Sequence, residues 1–171
     1  MNPAPWVKLD TLGRQLMPAV VTFSFLILSA VPLRLPPLDM AMPSLALIAI
    51  YFWTLYRPEL MPAIVAFAFG LIEDIVTGAP LGVGAMVYVT VHAMVNSQRA
   101  FFAGKPFAVI WLGFALTIAL AFTLGWLLVC LFYVSFVHGA GILLQGLITV
   151  SCLPFLWWVL ARFHISVLRQ V

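Results

Sequence analysis

Apolar residues run through this chain in six long stretches separated by short polar or Gly/Pro-rich breaks. The stretches lie at about Leu16 to Leu33, Met40 to Tyr56, Met61 to Thr77, Gly82 to Ser97, Phe107 to Val137 and Gly141 to Ala161. Crossing ~30 Å of hydrocarbon at ~1.5 Å per residue takes ~20 mainly apolar residues, so each stretch reads as a transmembrane helix. The breaks are chemically distinct. Arg34 to Asp39 (RLPPLD) holds a Pro-Pro pair that cannot continue a helix, Arg57-Pro58-Glu59 precedes the third stretch, and Gly78-Ala79-Pro80-Leu81 precedes the fourth. The fifth stretch is too long for a straight crossing. It must tilt, break near Gly125 or emerge at an interface.

Composition supports the same solvent. Of 171 residues, 65% are hydrophobic and 8% charged, and so few charges cannot cover a soluble domain of this size. The predicted architecture is an all-α integral membrane bundle of about six helices. Residues 1–15 form an amino-terminal segment, 16–161 the transmembrane domain and 162–171 a tail. The net charge of +3 comes from scattered basic residues rather than a stripe, which argues against nucleic-acid binding. Lys8 and Arg14 ahead of the first run imitate a signal peptide, but Leu28 would occupy the minus-three position before a cut at Ala30, so an uncleaved first span is expected. Asn2 to Gln15, carrying Trp6, Leu9 and Leu12, leaves two readings open: an amphipathic helix on the inner leaflet or a disordered tail. Cys130 and Cys152 read as free thiols at different depths.

Orientation follows from charge. Lys8, Arg14, Arg57, Arg99, Lys105, Arg162 and Arg169 fall on one side of the predicted bundle and only Arg34 on the other. Basic residues are retained in the cytoplasm, so both termini are expected there. Tyr51, Trp53 and Tyr56 before Arg57, and Trp157 and Trp158 before Arg162, are expected to anchor at headgroup level.

Polar groups inside spans require an explanation, because lipid makes them costly. Glu73 and Asp74 are adjacent, hence ~100° apart on a helix, and do not form an acid/base dyad. Asp74 stands in the last turn of its helix, where the dipole disfavours an anion, so a local compensating group is expected. Ala66 and Gly70 below it complete a small-residue face for close helix contact. Gly84, Tyr88, His92 and Asn96 recur every four residues, a stripe expected to face protein, with His92 near mid-membrane. Tyr88 is expected to donate to Asp74. Gln145, Thr149 and Ser151 form a third polar group, and Ala115/Ala119 and Thr117/Ala121/Gly125 give the fifth helix two small-residue faces. No zinc helix, Walker loop, dinucleotide fingerprint or nucleophile elbow occurs, and no enzyme, metal or cofactor is expected.

The segment from Phe69 to Gly82 resembles the signature of MreD, a family of bacterial rod shape-determining membrane proteins. In that family a Gly-Leu-x-x-Asp helix end runs through a small-residue turn to Leu-Gly, here Gly70, Leu71, Asp74, Gly78, Leu81 and Gly82. The Tyr56-Arg57-Pro58 turn and the basic turn after the fourth span extend the likeness. The resemblance implies a scaffold of the elongasome in the bacterial inner membrane that binds MreC and supports lateral peptidoglycan synthesis. MreB, RodA and a class B penicillin-binding transpeptidase are implied as direct or indirect partners. It also implies a helix arrangement similar to the substrate-binding subunits of energy-coupling-factor transporters, and with it a rival function, vitamin binding for transport. The site expected for partner binding or structural support is Gly70, Asp74, Gly78, Pro80, Leu81, Gly82, Tyr88 and His92.

Overall fold

The computed structural model describes residues 5–30, 42–136 and 139–168, with side chains described for 17–29, 42–136 and 139–162. The Arg34 to Asp39 turn, His138, Arg169, and the side chains of Trp6, Lys8, Leu9, Leu12, Arg14 and His164 lie outside the described residues. The described residues form six α-helices: α1 (Pro5–Ala30), α2 (Leu45–Tyr56), α3 (Ala63–Thr77), α4 (Val83–Phe102), α5 (Phe107–Tyr133) and α6 (Ala140–Leu168). A 3-10 turn, Pro58–Leu60, joins α2 to α3. No strand occurs among the described residues.

The packing is organised around α2. Every residue from Ala46 to Thr54 is buried, because α1, α4 and α6 all pack against this helix. At 12 residues it is only ~18 Å long. A helix enclosed by protein on all sides need not match the hydrocarbon thickness itself. Its enclosure corrects one expectation: Tyr51 and Trp53 are 0% and 1% exposed rather than anchored at a headgroup rim. The Tyr51 hydroxyl instead donates to the Ile110 carbonyl at 3.1 Å, and its ring meets Phe114 edge-on at 4.8 Å. Tyr56 is exposed, in a ring cluster with Phe52 and Trp157, and Phe107 joins Trp157 from α5.

The outer helices show the opposite pattern. Along α5 only Ile110, Phe114, Thr117, Ile118, Ala121 and Gly125 are buried, a single stripe, while Leu112, Leu116, Leu120 and Leu127 face outward. Apolar side chains on an outward face are what lipid requires. Two stretches, Phe107–Tyr133 and Ala140–Arg162, are each long and apolar enough to cross a bilayer. Of the three outcomes open for the over-long fifth span, a break at Gly125 does not occur. The helix runs through that position, where Gly125 lets Val87 approach, and ends at Val134 in the left-handed conformation, with Leu131, Phe132 and Tyr133 exposed. Likewise α1 is continuous from Pro5, and α6 continues past Ala161 to Leu168. Cys130 and Cys152 are free.

Charge is divided between the two ends of the bundle. The four basic side chains described, Arg57, Arg99, Lys105 and Arg162, all sit where α2, α4 and α6 end and α5 begins. Arg57 pairs with Glu59 at 3.2 Å, while Lys105 and Arg162 lie over the rings of Phe101 and Trp158. Glu73 and Asp74 stand at the opposite end, where α3 hands over to α4.

Candidate functional site

Helix α3 stops at Gly78, whose φ of +70° is a left-handed C-cap that a side chain disfavours. There the amides of Gly78 and Ala79 both donate to the Asp74 carbonyl, the latter at 3.0 Å. A short turn through Pro80 and Leu81 brings the chain to Gly82, φ +100°, the N-cap of α4. Glycine there carries no capping oxygen, so the first amides of α4 lack a partner from their own helix.

Asp74 supplies it from across the turn. Its Oδ2 accepts from the Gly82 amide and its Oδ1 from the Gly84 amide, both at 2.8 Å. The carboxylate is 2% exposed. The conflict expected between Asp74 and the dipole of its own helix is thereby offset by the positive end of the next one. The tight turn is a consequence of the pairing, since both bonds need α4 to begin beside the last turn of α3.

Close contact below the turn depends on missing side chains. A Cβ at Gly70 would lie 2.6 Å from the Ala85 nitrogen and 2.7 Å from the Gly84 carbonyl carbon, and one at Gly84 would lie 3.0 Å from the Gly70 oxygen. Ala66 and Ala85 are fully buried in the same seam. The faces expected from Ala66-Gly70-Asp74 and from Gly84-Tyr88 therefore meet.

Two details of the polar stripe on α4 differ from expectation. Tyr88, 1% exposed, does not bond to Asp74, whose oxygens are engaged by the two amides. Its hydroxyl sits 3.4 Å from Ser44 Oγ and also interacts with Glu73. His92 is buried, and its Nε2 lies 2.8 Å from the carbonyl of Met61, just ahead of α3, which places the ring level with the start of that helix. The stripe also stops facing protein before its end, for Asn96 is exposed.

Beside the hairpin lies a polar cavity of about 270 Å³ lined by Ser44, Glu73, Asp74, Tyr88 and Gln145 together with apolar side chains from α4, α5 and α6. A smaller pocket of about 80 Å³ shares Ser44, Glu73 and Gln145. The Ser44 amide donates to Thr149 Oγ1 at 3.1 Å, and Thr149 in turn donates to the Gln145 carbonyl at 2.7 Å, joining the start of α2 to α6. Ser44 is the residue that sequence reasoning missed. A serine directly before an apolar run is a helix-start signal, but its side chain makes no capping bond and turns to Tyr88 instead. Glu73 and Asp74 diverge as their spacing requires, Asp74 toward the α4 amides and Glu73 toward Ser44 and Tyr88. Ser151 is exposed and bonds only within its own helix. Among the described residues no three His, Cys, Asp or Glu side chains converge as metal ligands.

Gly78, Pro80 and Leu81 thus form a turn fixed at both ends, with Leu81 70% exposed at its tip. No curated protein and no solved structure matches the chain. Scanned against protein families, it matches rod shape-determining protein MreD over residues 10–163, a span that contains the whole hairpin. The chain belongs to the MreD family of rod shape-determining membrane proteins.

Proposed function

We propose that the chain is a scaffold subunit of the rod complex in the bacterial inner membrane, that it binds MreC, and that it supports lateral peptidoglycan synthesis through that contact. In this reading the bundle spans the membrane six times with both termini in the cytoplasm. The acidic hairpin faces outward and the basic turns face inward, in keeping with the retention of basic residues on the cytoplasmic side. MreB, RodA and the class B transpeptidase are engaged directly or through MreC.

The observation that carries the proposal is the turn itself. Asp74 fixes the start of α4 with two charge-assisted bonds, and the rigid result presents an exposed Leu81 beside exposed Ile75 and Val76. A preformed turn with an apolar tip binds a partner helix without first losing conformational entropy. The test is co-purification of MreC with Leu81→Asp and with the parent, alongside recovery of rod shape after depletion. Loss of both in the variant is expected. Retained MreC association with retained shape refutes a role for the turn, and normal shape with no MreC association in the parent refutes the scaffold reading.

The polar cavity favours a second reading, the substrate-binding subunit of a vitamin transporter, whose helix arrangement the bundle would share. Convergent polar groups in a concave, mostly apolar site are what a small-molecule site needs. Saturable vitamin binding by the purified protein would support it, and none at millimolar concentration would remove it.

A further inference from the structure

On the lipid-facing side α5 and α6 leave between them an apolar groove of about 500 Å³, walled by Ala115, Ala119 and Thr123 from one helix and Leu143, Gly146 and Leu147 from the other. Small residues give the groove its depth. Its rim is Leu143 and Leu147, 72% and 67% exposed. The groove borders the polar cavity, with Phe122, Trp126 and Ile142 lining both. From Ala115 to Trp126 it runs ~16 Å along α5, about half the hydrocarbon thickness. An apolar groove on the outer face thus lies next to a polar chamber that holds Glu73.

We infer that this site holds an aminophospholipid of the leaflet at the acidic end, with an acyl chain in the groove and the primary ammonium at the Glu73 carboxylate. Charge decides the headgroup. Among the described residues the chamber is lined by two carboxylates and no basic side chain, and since Asp74 is engaged by the Gly82 and Gly84 amides, Glu73 is the one that meets a ligand; Arg34, expected on this side, lies outside the described residues. An anionic phosphoglycerol headgroup or an isoprenoid pyrophosphate entering here meets like charge. An ammonium meets opposite charge, and its three N–H donors match the acceptors on Glu73, Gln145 and the Ser44–Tyr88 pair. A choline headgroup carries the charge without the donors. Trp126, at the junction, is a residue type that favours the boundary between apolar and polar surroundings. The phosphate, one ethylene unit from the ammonium, remains at the mouth.

The inference is independent of MreC and is tested without it. Purified protein in detergent is titrated with palmitoyl-oleoyl phosphatidylethanolamine, phosphatidylcholine and phosphatidylglycerol, and bound lipid is counted by native mass spectrometry. Phosphatidylethanolamine should be retained over the other two. Glu73→Gln should weaken it roughly tenfold while leaving phosphatidylglycerol unchanged or stronger, and Glu59→Gln at the far end should change nothing. Gln145→Leu, which removes an acceptor without touching the hairpin, should also weaken it, so the inference can fail even if Glu73→Gln does not fold. Ala119→Trp, filling the groove, should lower retention of all three lipids. Equal retention of the three headgroups, tighter binding of phosphatidylglycerol, or a preference that survives both Glu73→Gln and Gln145→Leu overturns it.

Discussion

Removing the Asp74 carboxylate should cost the bundle more than removing any other charge described. Asp74→Ala deletes two hydrogen bonds to a charged acceptor, each 2.8 Å long, and leaves the Gly82 and Gly84 amides without the partner they now have. Bonds to charged groups contribute ~1.5–3 kcal/mol each, and loss of an N-cap costs ~0.5–2 kcal/mol. Gly82 and Gly84 are half-buried rather than sealed, so water replaces part of the loss; the two bonds are themselves the cap, and at the lower end of the range they contribute ~3 kcal/mol together. For a chain of this size that lowers the apparent thermal midpoint by ~6–12 °C. Asp74→Asn should recover less than half, because its amide offers one acceptor oxygen and points its NH2 donors at a backbone N–H. Asp74→Glu is no rescue, for the extra methylene must fit where the Gly70 and Gly84 backbones already touch.

The assay has two parts: thermal unfolding of the purified protein in detergent, and amide hydrogen exchange of the peptide covering residues 78–84. Both variants should lower the midpoint, and both should speed exchange at the turn more than elsewhere in α4. An unchanged midpoint with unchanged exchange in Asp74→Ala refutes the idea that this carboxylate caps α4. A lowered midpoint with exchange raised evenly along α4 refutes the local assignment and leaves a general destabilisation.

Two further predictions concern the neighbouring contacts. Tyr88→Phe and Ser44→Ala should be non-additive, because each removes one side of the same 3.4 Å contact, whereas Tyr88→Phe and Asp74→Asn should add to within ~0.5 kcal/mol; thermal midpoints of the single and double variants distinguish the cases. Gly70→Ala should cost ~1–3 kcal/mol, since the new methyl meets the backbone of Ala85 and Gly84, while Gly113→Ala should cost less, since it meets the ring of Phe102 in the last residue of α4, which can turn aside; equal losses in thermal unfolding would show that neither seam is rigid.

The hairpin was legible in the sequence because its signals are local and steric. Gly78 and Gly82 mark left-handed backbone, Pro80 and Leu81 mark the turn, and Ala66, Gly70 and Gly84 mark close approach whatever the solvent. Even the misplaced group in that segment, an acid at a helix C-terminus, announced that a partner was needed, and only the identity of the partner, two backbone amides, required coordinates. The cavity was not legible for the converse reason. Ser44, Glu73, Tyr88, Gln145 and Thr149 come from four separate stretches of chain, so no window of sequence contains them. Nor does hydrophobic periodicity help. In water, an apolar face points inward and a polar face outward, but in lipid both the core and the exterior are apolar, so the pattern loses its sign. That is why Tyr51 and Trp53 read as rim anchors when they stand in a helix enclosed on every side, and why α2 and α5 look alike in sequence although one is buried throughout and the other along a single stripe. With apolar residues uninformative about direction, the polar residues within the spans carry most of the information about which faces meet. Thr117 and Thr149 are buried and Ser151 and Thr123 face outward, yet all four hydroxyls donate to a carbonyl four residues back in their own helix. A hydroxyl can return its hydrogen bond to the preceding turn, so it marks an inward face only weakly. A carboxylate has no donor and no such escape. At Asp74 and Glu73, therefore, a face had to be occupied by something other than lipid, and it is around them that the turn and the cavity are built.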